Sequence, residues 1–208
     1  MQAVTTAVGI GVITKSGKLA EGVSDVGKQI GKNSREKLEE FITKGLQDKL
    51  EIINNHWQVK YPDVFTRGSF FEDLMGVYRY KKADGWAHTS EIADNFKGVD
   101  FYKDFTIVGN DIYAGTSISM KTTITKNVED WLRANKNNID IIANSIGAGS
   151  GKGITWNGKT LFYNKTELHI YVPKENLTPQ FKKEWLEKLS NYNQNVKYEI
   201  NVLEDYLK

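Results

Sequence analysis

The feature that most limits how this chain can fold lies between Val99 and Ile146, where the spacing of apolar residues changes from two to about 3.6. Val99, Phe101 and Phe105 alternate with Asp100 and Tyr102. Gly109-Asn110-Asp111 supplies a turn, and isoleucine and serine then alternate from Ile112 to Ser119. From Val128 onward the pattern is helical, with Trp131, Leu132, Ile139, Ile142 and Ile146 on one face. Two strands followed at once by an amphipathic helix need a sheet with a helix packed on it.

The remaining segments extend that plan. Leu38, Phe41, Ile42, Leu46, Leu50 and Ile53 predict a helix that starts at Ser34 and ends near Asn54-Asn55. Tyr61-Pro62-Asp63 reads as a loop, Gly68-Ser69 as the start of a second helix, and residues 81–95 as irregular. Asn157-Gly158 is a hairpin dipeptide between strands near 154–156 and 160–163. Residues 167–172 form a strand, Thr178-Pro179 opens a helix, and 196–203 form the last strand. The order from residue 68 is helix, strand, strand, helix, hairpin, strand, helix, strand. That is an α/β (α+β) domain with a mixed central sheet. At 208 residues the chain holds one such domain and an attachment. We place the division at residue 55: a glycine-rich leader with an amphipathic helix over 1–55, and the main domain over 56–208.

Composition removes whole classes. With no cysteine there is no disulfide scaffold, thiolate zinc site, iron–sulfur cluster or cysteine nucleophile, and the chain is indifferent to redox compartment. The longest apolar stretch, Ala3 to Ile13, is too short for a stable membrane span and lacks the basic flank of a signal peptide. A formal net charge of +2 leaves only a local basic patch to attract nucleic acid.

The chemistry-bearing residues cluster on the first two strands. Ser119 and Lys121 share a strand face, and an antiparallel partner can bring Asp100 opposite them. Glu72 lies on the preceding helix. Carboxylates beside a lysine suit metal-assisted phosphodiester hydrolysis: Asp100 and Glu72 can hold a hard divalent cation, and Lys121 can stabilise charge at phosphorus. Asp104 is a further carboxylate candidate. A second region, 141–166, contains no acidic residue but carries Lys152, Lys159 and Lys165 among Trp156, Phe162 and Tyr163. Lys152, Trp156, Lys159 and Lys165 are therefore candidate nucleic-acid contacts, better suited to single-stranded or looped RNA than to duplex DNA. Gly149-Ser150-Gly151-Lys152 is not a phosphate loop, because Ile146 and Gly153 stand where that motif needs Gly and Ser or Thr. His56, His88 and His169 form no local metal pair; His169 is a structural histidine or the acid–base group of a metal-free ribonuclease.

Gly68-Ser69-Phe70-Phe71-Glu72, Gly98-Val99-Asp100-Phe101-Tyr102 and Thr116-Ser117-Ile118-Ser119-Met120-Lys121-Thr122 together resemble the PD-(D/E)XK nuclease superfamily. More narrowly, they are similar to the nuclease domains of polymorphic bacterial toxins, including contact-dependent growth inhibition toxins. The resemblance spans roughly residues 66–146. It implies a restriction-endonuclease-like mixed sheet flanked by helices, with Glu72, Asp100, Ser119 and Lys121 in the catalytic set. Glu72 and Asp100 would hold Mg²⁺, with Mn²⁺ or Zn²⁺ as alternatives. Ser119 departs from the pattern, which has an acid or Gln there. The implied substrate is RNA, tRNA first, with DNA as the alternative. The implied partner is a cognate immunity protein, and the implied life history is export within a larger toxin that acts in the target-cell cytoplasm. Ser119 also keeps open a non-enzymatic interaction module with a nuclease-like sheet.

Overall fold

The computed structural model describes residues 38–59, 64–93 and 95–207. A short helical segment over 38–43 precedes helices α1 (Leu46–Gln58) and α2 (Val64–Tyr78). Then come β1 (Trp86–His88), β2 (Phe101–Val108), β3 (Asp111–Thr122), α3 (Val128–Asn144), β4 (Ile154–Trp156), β5 (Lys159–Val172), α4 (Pro179–Tyr192) and β6 (Lys197–Val202). The protein is a mixed α+β fold with a six-stranded mixed sheet.

β1, β2 and β3 form an antiparallel meander, and β5 lies parallel to β3. The outer edge of β5 is divided: its first residues pair antiparallel with β4, and Glu167 to Val172 pair parallel with β6. Helices cover both faces. Trp131, Ile139 and Ile142 of α3 and Phe181, Trp185 and Leu189 of α4 pack on one face with Leu168 and Ile170. On the other face Phe70, Phe71, Leu74 and Met75 of α2 pack on Phe101, Ile118 and Met120.

Local chemistry explains the helices that the sequence predicts. Asn127 caps α3 by accepting from the N–H groups of Glu129 and Asp130 at 3.0 and 3.2 Å. Thr178 accepts from the N–H of Phe181, with Pro179 at the first helical position of α4. Three expectations shift. Helix α2 already includes Val64, so Gly68-Ser69 lies inside it; a side chain at Gly68 would meet only open space, so the position carries no packing demand. Residues 81–95 hold a strand, because Trp86–His88 finds hydrogen-bond partners on β2 that no local signal reveals. The boundary at residue 55 falls within α1, whose apolar period runs on to Trp57. Phe41, Ile53 and Trp57 are buried in the same cluster as Phe70 and Phe71, so α1 is packed into the core of the main domain. The leader over residues 1–37 and the loop at 61–63 lie outside the described residues.

The segments 160–163 and 167–172 are one strand, and the break between them has a cause. Leu161 and Tyr163 face the α3–α4 core, yet so do Leu168 and Ile170, so the alternation slips by one residue near Asn164. The neighbouring strand slips at the same level: Ile112 and Ala114 face that core, whereas Ile118 and Met120 face α2. Between them lies Gly115, where an added Cβ would sit 3.1 Å from the Cβ of Asp104. Asp104 itself has φ of 56°. A kink thus crosses β2, β3 and β5 in register and tips the ends of β2 and β3 relative to their lower halves.

Candidate active site and adjoining cleft

Asp100 sits just ahead of β2. Its backbone N–H donates to Ile118 at 2.9 Å, which fixes it against β3. The side chain then turns toward the end of that strand: Oδ2 accepts from the N–H of Met120 at 2.5 Å and lies 3.9 Å from Lys121 Nζ. Lys121 also donates to the Met120 carbonyl at 3.1 Å. Both side chains remain partly open, at 16% for Asp100 and 23% for Lys121, enough for a phosphate oxygen or a cation to reach them.

Helix α2 brings Glu72 to the same place. Its Oε1 is 2.5 Å from His88 Nε2 on β1. The tautomer follows from the other ring nitrogen, which accepts the N–H of Ser90 at 3.1 Å, so Nε2 carries the hydrogen and donates to Glu72. The Ser90 hydroxyl, 2.6 Å from Nδ1, can accept a hydrogen when the ring takes a second proton. Burial, and next the charge of Asp100, push the Glu72 carboxyl above the usual carboxylate range, against the pull of His88 and Lys121. For His88 burial acts downward, but the Glu72 hydrogen bond and the charges of Glu72, Asp100 and Asp73 together outweigh it and the pKa is raised.

Glu72, Asp100 and Lys121 are therefore brought together from a helix, a strand entry and a strand end. Ser119 is placed differently. It is fully buried, and its hydroxyl accepts from Asn138 of α3 at 3.2 Å. Asp104 is exposed in the kink, level with Gly115 and away from Lys121. Lys152 and Lys165 are exposed, while Trp156 and Lys159 are half-buried opposite each other across β4 and β5. Lys159 lies eleven residues before Ile170, the partner of Lys121, or roughly 35 Å along the strand. Lys152 precedes β4, the other three lie on β4 and β5, and none of the four joins the carboxylates. His88 carries no local signal, because its partner Glu72 is sixteen residues away.

A second constellation occupies the α2 face of β5 and β6. His169 is buried, with Nδ1 2.6 Å from the Tyr80 hydroxyl and Nε2 3.0 Å from Glu167. The Tyr80 hydroxyl is 2.8 Å from that of Tyr171, which accepts from Arg79 at 2.7 Å. Arg79 also donates to Glu199 at 2.6 Å. Lys197 bridges Glu167 and Glu199 at 2.9 and 3.0 Å. Burial lowers the pKa of His169. It would raise that of Glu199, but Arg79, His169 and Lys197 hold that carboxyl down at about 2. The ligand atoms of Glu167, His169 and Glu199 lie within 4.8 Å of one another, and the group could hold a metal ion. Arg79 and Lys197 already neutralise its two carboxylates. This network, with Arg79, Tyr80, Glu167, His169 and Glu199, lines one part of a cleft of about 320 Å³ that Trp86, Lys103, Thr116 and Ile118 complete.

No family model matches the chain, and no curated protein matches it. Among solved structures it matches a chain of a CdiA-CT/CdiI toxin and immunity complex from Yersinia pseudotuberculosis. The identity is 18% and the TM-score 0.40, over 64% of this chain and 97% of that one. No helix of the described residues is long and apolar enough to cross a membrane.

Proposed function

We propose that this chain is a nuclease domain of a contact-dependent growth inhibition toxin, cutting phosphodiester bonds with metal assistance. RNA, tRNA first, is the substrate, and DNA is the alternative. The reading is carried by the meeting of Glu72, Asp100 and Lys121, three residues from separate elements whose linear order is that of PD-(D/E)XK nucleases.

The donor set fits a divalent cation. Two carboxylates offer hard oxygen ligands. Glu72 also binds its proton more tightly because of burial and Asp100, so positive charge is welcome there. Glu72 and Asp100 would hold the ion, which when bound acidifies water and polarises a phosphoryl oxygen. Asp100 is anchored by the Met120 N–H, so its free lone pairs are aimed without further ordering. His88 holds Glu72 in one rotamer. Lys121 stabilises the charge that develops at phosphorus. Ser119 works from behind, tying β3 to Asn138 so that Lys121 keeps its place. Lys152, Trp156, Lys159 and Lys165 provide outlying contacts to the nucleic acid. The motif resemblance adds an immunity protein as partner, and delivery from a larger exported toxin into the target cytoplasm.

The test is incubation with total tRNA and with plasmid DNA, with and without a chelator. Asp100→Ala and Lys121→Ala should each abolish chelator-sensitive cleavage while leaving thermal melting near that of the parent. Cleavage retained in both variants overturns the assignment. The burial of Ser119 where the motif has a ligating acid favours one other reading, a non-enzymatic interaction module. That reading gains if titration with Mg²⁺ or Mn²⁺ gives neither heat nor a shift in melting temperature.

A further inference from the structure

The cleft beside the candidate active site has no part in the chemistry above, yet its lining is specific. Its volume of about 320 Å³ is at the low end of the ~300–1,000 Å³ range of small-ligand pockets. That is room for a single nucleobase. On one wall Trp86 is half-buried, braced edge-on by Tyr80 with ring centroids 5.3 Å apart. The ammonium of Lys103 lies over its ring, 5.5 Å from the centroid, on a flexible stem that can swing aside. On the opposite wall Glu167 presents a carboxylate whose Oε2 is engaged by His169 and Lys197, leaving Oε1 to accept from a base edge. An aromatic plate, an adjacent cation and a facing acceptor are what an unstacked nucleobase with its phosphate requires.

Position ties the cleft to the scissile site. Trp86 and His88 alternate on β1, so their side chains leave the same face about 7 Å apart, near the span of one extended nucleotide step. His88 holds Glu72. A phosphate held between Glu72, Asp100 and Lys121 therefore has its neighbouring nucleotide over Trp86.

We infer that this cleft is the subsite for one unstacked nucleobase next to the cleaved phosphate, with Trp86 as its stacking platform and Lys103 as its phosphate contact. The substrate at this point is consequently a single strand or a flipped-out nucleotide. The inference rests on the nuclease reading for the position of the phosphate, but its own readout is binding.

The experiment measures affinity of the Asp100→Ala protein for a short single-stranded RNA, and for an abasic ribose-phosphate strand of the same length. Adding Trp86→Ala should weaken RNA binding about 5- to 150-fold, the loss expected for one base–aromatic stack, and should leave binding of the abasic strand unchanged. Trp86→Phe should recover most of the affinity, and serves as the folding-safe variant if the alanine change lowers the melting temperature. Lys103→Ala should reduce the slope of log affinity against log salt by about 0.7, one phosphate's share on a single strand. Equal RNA affinity with and without Trp86 overturns the subsite, as does a penalty that persists on the abasic strand. Failure of the nuclease reading looks different: cleavage survives the Asp100 and Lys121 changes, whatever Trp86 does. A protein that binds no single strand at all overturns the subsite and leaves the nuclease reading to the cleavage test.

Discussion

Replacing Glu199 by Gln tests whether the second constellation is a charge-balanced wall of the cleft. In the native protein the Glu199 carboxylate accepts from Arg79 at 2.6 Å and from Lys197 at 3.0 Å. Glutamine keeps the shape and removes the charge, leaving the half-buried Arg79 facing a neutral amide. The magnitude follows from linkage. With the carboxyl held down from 4.5 to about 2, ionised Glu199 stabilises the fold by at most about 3 kcal/mol at neutral pH. Its side chain is 30% exposed, so solvent screening brings the expected loss nearer to about 2 kcal/mol. The sign is that of a depressed carboxylate: the stabilisation is complete above the unfolded pKa and is lost as pH falls through the folded one. With those two pKa values, roughly 40% of it remains at pH 3. Urea denaturation of the parent and Glu199→Gln at pH 7 and pH 3 measures both figures. A difference below about 0.5 kcal/mol at pH 7 refutes the reasoning, as does one that fails to shrink on acidification.

Other perturbations address the remaining parts. His88→Leu removes a hydrogen bond and, where the ring is protonated, a charge that both lower the pKa of Glu72, so the acid limb of metal-dependent cleavage should move to higher pH; an unmoved limb in a kcat/KM profile refutes the positioning role. A chain beginning at residue 56 loses the fully buried Phe41 and Ile53, so chemical denaturation should show it at least ~3 kcal/mol less stable than one beginning at residue 38. Gly115→Val drives a branched side chain against Asp104 and should cost about 1–3 kcal/mol. Asp104→Gly, at a backbone φ of 56°, should relieve part of that loss in the double variant, and melting of the three proteins checks both.

The parts of the fold that were legible are those whose causes are local. Helix α4 shows its Thr178 cap and Pro179, and α3 shows Asn127 ahead of a stripe led by Val128 and Trp131, so both could be placed from spacing alone. β1 could not. Three residues carry no reliable period, and Trp86-Ala87-His88 is a strand only because β2 lies beside it. β5 was read as two strands because the kink reverses its alternation near Asn164, and the residues that impose the kink, Asp104 and Gly115, lie on other strands. The site divides the same way. Glu72, Asp100 and Lys121 were marked by their order along the chain. His88 has meaning only once α2 and β1 are adjacent.

That division also separates the two clusters of acids by what they can still accept. At Glu167 and Glu199 the folded chain already supplies Arg79 and Lys197, so each carboxylate has its counter-charge and the group is close to neutral. At Glu72 and Asp100 two carboxylates face one lysine, 3.9 Å from one of them, and a histidine whose hydrogen bond requires no charge. The imbalance appears in Glu72 itself, whose grip on a proton is tightened by burial and by Asp100. A protein that spends cations on one acidic pair and leaves the other short has left room at the second for a cation from solution. That charge imbalance favours the reading of the Glu72–Asp100 pair as the reactive one, and of the Glu167–Glu199 network as part of the frame of the neighbouring cleft.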